Sequence, residues 1–405
     1  MKLYPGPAME RTMKLQEVIL RAMSGEITWV QAAHILRMTP RNLRRLRAGY
    51  ERLGYDGLID RRRGRPSGKK ADVREVERIL RLYRERYKGF NALHYHEIAQ
   101  REHGVTLSYT FVKTVLQTAG LVARRKKRGP HRRRRPRKES FGEMLHVDGS
   151  KHAWLALKPE LRQMLIVVQD DATSRLLYAQ LWPEETTEAV MTALKATVAE
   201  HGIPMSLYSD RASWAFYTLK AGGKVDKERP TQVGRAMERL GVEHIPAYSP
   251  QARGRSERTN RTLQDRLVNE LRAKRVRTVK TANRYIAETF VPSYNERFSR
   301  APRNPQPAFV SSGLVDLDQV FCIEAERTVA KDNTVVMERV VMQLNRLPGR
   351  GTCAGMKVLV RRHLDSSYSV WRGQRLLGTY DQHGEPTGRT AEAELKETRA
   401  ARRTG

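Results

Sequence analysis

The chain has 405 residues, room for two to four domains of ordinary size. Its 76 Lys and Arg against 44 Asp and Glu give a formal charge of +32, which calls for a polyanionic partner. No apolar run approaches the roughly 18 residues of a membrane span, and two cysteines, Cys322 and Cys353, are too few for a disulfide scaffold or a thiolate zinc site.

Glu10, Arg11 and Lys14 interrupt any apolar export signal at the N-terminus, so a reducing, cytoplasmic location is expected. Residues 1–140 hold 35 basic and 13 acidic side chains, a net of +22, so about two thirds of the excess charge lies in the first third of the chain. Within 1–60, apolar positions recur at helical spacing and break near Gly25 and at Thr39-Pro40, which predicts three short helices. Thr39 caps the last of these with Pro40 at its first position, and Arg41, Arg44 and Arg45 form a basic face suited to a DNA-reading helix-turn-helix or to plain solvation. In the linker 61–71, Arg63 and Arg65 flank Gly64 in the Arg-Gly-Arg-Pro pattern of minor-groove-binding AT-hooks, where arginine enters a narrow, negatively charged groove.

Residues 72–122 repeat the three-helix pattern: Val73 to about Tyr87, His94 to Glu102, and a helix capped by Ser108 that runs to Thr118. As a second helix-turn-helix this segment presents Tyr109, Thr110 and Lys113 to DNA; as a spacer or dimerisation domain it does not. The linker 123–140 carries Arg124, Arg125, Lys126, Lys127, Arg132 and Arg133, a charge density that phosphates would order.

From Met144 the composition changes. Three β-prone segments precede a helix at Thr187–His201, a strand that ends at Asp210, a helix around GRAMERLG and the strand VEHIPA, an order that predicts a mixed α/β sheet with helices on its faces. Asp148 in HVDGS and Asp210 in YSDRAS sit at strand ends, and Glu257 opens a long helix. Three carboxylates converging on one point repel one another unless divalent cations neutralise them.

The segments HVDGS, VVQDDATSRLLYAQL, YSDRAS and HIPAYSPQARGRSERTNRTLQDRLVNEL resemble the integrase catalytic core of DDE transposases, and most closely the ISNCY group of bacterial insertion-sequence transposases. The resemblance implies a multidomain protein: N-terminal all-α helix-turn-helix modules, a central α/β ribonuclease H-like core at 141–300, a Pro-rich linker at 301–316 and a small C-terminal β-barrel at 317–382. It makes Asp148, Asp210 and Glu257 the catalytic, metal-binding triad, with two Mg²⁺ or Mn²⁺ ions per site. It implies cleavage at terminal inverted repeats followed by strand transfer, on double-stranded DNA, by a homo-oligomer that holds two ends. The alternative is a transposase-derived DNA-binding regulator without catalysis.

Asp148 and Asp210 lie 62 residues apart and Asp210 and Glu257 lie 47 apart; the second interval exceeds that of many relatives, and the excess is assigned to an inserted loop or hairpin at 214–234. Gln264 stands seven after Glu257, where many relatives carry a basic residue, so Arg261 or Arg266 is expected to take that DNA contact. Arg253, Arg255 and Arg258 are expected to position phosphates. Asp170 is the rival carboxylate; the DDATSR segment reads as a structural turn, which leaves it out of the triad. His146 and His152 read as packed rather than ligating. Short β-prone runs over 317–381 predict a five-stranded, SH3-like barrel, and 383–405 a disordered or weakly helical tail.

Overall fold

The computed structural model describes residues 6–59, 71–124, 136–218, 225–226, 228–248, 254–347 and 351–388. They fall into two compact units, Met1–Val76 and Glu77–Gly405.

The first unit is built from α1 (Gly6–Met23), α2 (Trp29–Ile35) and α3 (Pro40–Leu53). Val18, Ile19 and Ala22 of α1 pack against Ala32, Ala33, Leu43 and Leu58. Each later helix starts where the sequence supplies a cap: the Thr28 hydroxyl accepts from the Gln31 amide, and Thr39 accepts from the Asn42 amide ahead of Pro40. The three helices expected here are present.

In the second unit, α4 (Val73–Glu85), α5 (Ala92–His103) and α6 (Tyr109–Thr118) enclose a core of Ile79, Tyr83, Tyr95, Val112 and Leu116. Asn91 and Ser108 cap α5 and α6. Next comes a five-stranded sheet of β1 (Leu145–His152), β2 (Gln163–Asp170), β3 (Leu176–Trp182), β4 (Ser206–Ser209) and β5 (Glu243–Pro246), in the order β3-β2-β1-β4-β5. The pairs β1/β2 and β2/β3 are antiparallel, and β1/β4 and β4/β5 are parallel. The mixed α/β core expected from the segment order is therefore present.

Strand alternation divides its faces. Leu145, Val147, Ile166 and Val168 pack beneath α7 (Thr187–His201) and α8 (Gln232–Arg239). Leu165 and Val167 pack beneath α9 (Gly254–Ala273), α10 (Val279–Tyr285) and α11 (Val291–Phe298). A π-helical turn at Ile286–Phe290 joins α10 to α11 just ahead of Pro292, whose ring opposes the carbonyl four residues back in a regular helix. The open edge of β3 is covered by two asparagines of this helical run. Asn283 bonds the N–H and C=O of Leu181 at 2.7 and 3.0 Å, and Asn295 those of Leu176 at 2.7 and 2.8 Å, which satisfies edge groups that would otherwise invite another strand.

The assigned insertion is partly core: Trp214 and Ala215 are buried with α8, and a bridge between Thr218 and Val225 has the sense of a hairpin. The C-terminal region corrects the expected five-stranded barrel. After the short helix α12 (Leu317–Val320), its strands are β6 (Ile323–Thr328), β7 (Thr334–Met337), β8 (Val340–Gln343), β9 (Lys357–Arg362), β10 (Tyr368–Arg372) and β11 (Arg375–Tyr380). They form a four-stranded sheet, β11-β10-β9-β6, and a separate hairpin, β7-β8, around a shared core. Closure fails because β6 pairs only with β9 and the tight turn at Glu338-Arg339, both with positive φ, pairs β7 with β8 instead.

Candidate active site on the helix-covered face

The expected triad falls on three segments, β1, the end of β4 and the first turn of α9. On β1, His146, Asp148 and Ser150 alternate with the core residues Leu145 and Val147, so they look toward α9. The parallel pairing of β1 with β4 matches Leu145 to Leu207 and His146 to Tyr208, an offset of 62 residues. Asp148 and Asp210 each lie two residues beyond the paired His146 and Tyr208, Asp148 within β1 and Asp210 just past the end of β4. Asp148 is 7% exposed; Asp210 accepts from the Ala212 amide at 3.1 Å.

The helix α9 is tied to the same strand. Asn260 Nδ2 donates to Asp148 Oδ2 at 2.8 Å, and Gln264 Nε2 donates to Ser150 Oγ at 3.0 Å. Four helical residues rise about 6 Å and two strand residues about 6.6 Å, so these amides keep the helix in step with β1. Glu257 lies one turn before Asn260 and is exposed. As placed, no three His, Cys, Asp or Glu side chains among the described residues are gathered closely enough to hold one ion. In donor type the three carboxylates fit a hard divalent cation, which takes oxygen ligands.

The rival carboxylate is committed elsewhere. Asp170 accepts from the Gly142 amide at 3.0 Å and from the Thr173 amide and hydroxyl at 2.7 and 2.6 Å, closing the turn after β2. Burial pushes its carboxyl up against those hydrogen bonds. Its neighbour Asp171 moves the other way: burial again opposes charge, but hydrogen bonds from His146, the Lys138 amide and Arg255 outweigh it and hold the carboxyl well below the usual carboxylate range. His146 is therefore a hydrogen-bond partner of Asp171, with Nε2 2.7 Å away, while the His152 ring meets Trp154 edge-on.

The expected DNA contacts divide. Arg41, Arg44 and Arg45 are exposed on α3, as are Arg124, Arg258 and Arg261. Tyr109 is half-buried against His96, with the Lys113 ammonium 5.9 Å from its ring centre. Arg255 is paired with Asp171 and only 18% exposed. Arg266, expected as a stand-in DNA contact, is buried: it grips Glu97 of α5 through two bonds of 2.7 and 3.1 Å and stacks on Phe298, so it is structural. Arg63, Arg65, Arg125, Lys126, Lys127, Arg132, Arg133 and Arg253 lie outside the described residues.

Sequence reasoning missed Asn260, whose position three after Glu257 was the available signal. It also missed the docking of α5 onto α9. There His94 Nε2 meets Glu270 at 2.8 Å, and Tyr285 donates to the same carboxylate at 2.6 Å.

A family model described as a helix-turn-helix domain matches residues 16–67. A protein of Sinorhizobium fredii (strain NBRC 101917 / NGR234) named as transposase y4bF is 30% identical over 370 residues, 91% of this chain and 80% of its own. The transposase for insertion sequence IS1202 of Streptococcus pneumoniae is 28% identical over 316 residues, 69% of this chain and 67% of its own. Among solved structures, the simian T-cell lymphotropic virus intasome in complex with PP2A regulatory subunit B56 gamma matches 70% of this chain and 96% of that chain at 14% identity and TM-score 0.31. The HTLV-2 integrase catalytic core domain in complex with magnesium matches 36% and 85% at 13% and 0.28. Likenesses that loose place no side chain here.

Proposed function

This chain belongs to the family of insertion-sequence transposases, and we propose that it binds the terminal inverted repeats of its element and cuts and joins DNA through Asp148, Asp210 and Glu257 on a ribonuclease H-like core. The observation that supports this reading is the parallel register of β1 and β4, which pairs His146 with Tyr208, two residues before Asp148 and Asp210, with Asp148 hydrogen-bonded to the helix that bears Glu257.

Two Mg²⁺ or Mn²⁺ ions held by the three carboxylates would neutralise charge at the scissile phosphate and activate the attacking oxygen. The chain's own groups do the rest. The Asn260 amide donates to Asp148 Oδ2 and holds that carboxylate in place. Exposed Arg258 and Arg261, on the outer side of α9 beside Glu257, pair with phosphates next to the scissile bond. With water as nucleophile a phosphodiester is cut, leaving a 3′-OH and a 5′-phosphate; with that hydroxyl as nucleophile a target phosphodiester is attacked, its own 3′ oxygen leaves, and the end is joined to target DNA. Neither step needs a covalent protein intermediate. End recognition is assigned to α3, where Arg41, Arg44 and Arg45 lie on a capped helix of the matched helix-turn-helix segment. Cleavage at two ends calls for at least two copies of the chain.

The test is cleavage of a labelled duplex that carries the element end, with and without Mg²⁺ or Mn²⁺. Metal-dependent nicking at the boundary, lost in Asp148→Ala, Asp210→Ala and Glu257→Ala while end binding persists, is the expected result. Specific binding with no cleavage in either metal supports the regulator instead.

A further inference from the structure

We propose that Arg255, clamped by Asp171, is a positioning residue for Glu257 and not a DNA contact. The inference rests on the catalytic reading above and supplies the device that sets its third carboxylate.

Arg255 is the second residue of α9 and Glu257 the fourth. An arginine in the first turn of a helix opposes the helix dipole, so nothing helical favours it there. The reason for it is the partner. Asp171 is fully buried, just past β2, and forms an ion pair with the Arg255 guanidinium. The same carboxylate accepts from His146 Nε2 at 2.7 Å and from the Lys138 amide at 2.8 Å. His146 is two residues before Asp148 on β1, so one buried anion links the first turn of α9 to the strand that carries the first carboxylate. The turn beneath is braced by Arg137, which donates to the carbonyls of Asp171 and Ala172 at 2.9 and 3.2 Å and to Ser174 Oγ at 2.7 Å.

A second rung follows four residues along the helix: Thr259 Oγ1 donates to Gln169 Oε1 at 2.9 Å, two residues back along β2 from Asp171. Residues 255 and 259 thus engage 171 and 169, while 260 and 264 engage 148 and 150. The helix is pinned against both strands at once, in step with each. Glu257 follows Arg255 by about 200° around the helix, on the exposed side, so its direction depends on the clamp and not on contacts of its own. An arginine that only touched phosphate would have no use for a buried partner, and Asp171 without Arg255 would be a buried charge short of one donor.

The test uses the full-length protein and the variants Arg255→Met, Arg255→Lys and Asp171→Asn. Four quantities are read: cleavage at saturating end duplex, Mn²⁺ affinity by calorimetry, amide exchange at residues 256–260, and end-duplex Kd as a function of salt. For Arg255→Met and Asp171→Asn we expect cleavage and Mn²⁺ affinity each to fall about 10- to 100-fold, with faster exchange at 256–260. Kd and its salt slope should be unchanged, and Arg255→Lys should recover part of the loss. The proposal is overturned if Arg255→Met weakens end binding and lowers the salt slope by about one while Mn²⁺ affinity and exchange stay at wild-type values, the signature of a phosphate contact. Should the wild-type protein cleave nothing, the catalytic reading fails on its own. Exchange at 256–260 then still decides the clamp: faster in Arg255→Met upholds it, unchanged overturns it.

Discussion

Replacing Glu270 with Ala should loosen α5 from α9. The carboxylate, 13% exposed, accepts from His94, itself 1% exposed, and from the Tyr285 hydroxyl. Its removal leaves two buried donors without an acceptor, at about 1–3 kcal/mol each, and breaking one side of a buried pair costs about 3–5 kcal/mol in all. A void of about 10 Å³ bordered by Tyr87, Glu102 and Tyr285 already opens beside it, nearly enough for one water, so relief by solvent brings the expectation to about 3 kcal/mol. For a unit of this size that is a fall of roughly 5–10 °C in Tm. Amide exchange should quicken across α5 and leave β1 and β2 unchanged. The triple variant His94→Phe, Glu270→Leu and Tyr285→Phe, which removes all three polar partners, should recover most of the loss. Burial alone pushes the Glu270 carboxyl up, but the bonds from His94 and Tyr285 reverse this and hold it below its ordinary 4.5. Its contribution is therefore full above about pH 4.5 and fades as pH falls through the lowered value, where Glu270→Ala and wild type should converge. A Tm within 1 °C of wild type at pH 7, with α5 protected as before, would refute the reasoning.

Three further outcomes are open to measurement. Asn260→Ala removes a hydrogen bond to a charged oxygen of Asp148 and should slow cleavage about 10- to 100-fold with end binding intact; an equal loss in both places Asn260 in folding instead. His244 stacks on Phe216 with ring centres 4.1 Å apart and is held by burial at about 4, so its neutral form is the folded one. Stability from this group is full above pH 6.5 and lost as pH falls toward 4, by about 2 kcal/mol after allowance for the part of the ring that water reaches, and His244→Phe should flatten the Tm profile in that window. Gly142→Ala puts a methyl 2.3 Å from the Phe309 ring at a residue whose φ is +88°, and should cost at least about 3 kcal/mol, read as poor soluble yield or a Tm many degrees lower.

What could be read from the sequence follows from the range of the interactions involved. Thr39-Pro40 and Ser108 start their helices locally, through caps that need no tertiary partner, and α7 spans Thr187–His201 as its spacing required. The carboxylates stood out because an acid in an apolar run is costly, but only Asp210 lies at a strand end; Asp148, expected at one, is in the middle of β1, and the DDATSR segment does form a turn, closed by the Asp170 and Thr173 side chains. Arg266 was misjudged for the complementary reason: its partner Glu97 is 169 residues away, and no local pattern tells a paired arginine from a solvated one. The C-terminal strands were found but not their closure, since strand propensity fixes which runs extend and not which edges meet.

Those long-range pairs give α9 a divided role. Its first half, from Arg255 to Gln264, is fastened to β1 and β2 by polar side chains on the face that carries Asp148. Its second half, from Asp265 to Ala273, and Lys274 just past its end are fastened to the helical module of α4, α5 and α6 by Asn91, Glu97, His94 and Glu102. A helix of 20 residues is about 30 Å long and stiff on that scale. A displacement of α5 is thus passed to the element that carries Glu257, with no flexible linker between them. Disruption at the far end, as in Glu270→Ala, should consequently slow cleavage of a bound end more than it weakens its binding; equal losses, or a loss of binding alone, would show that the module only holds DNA.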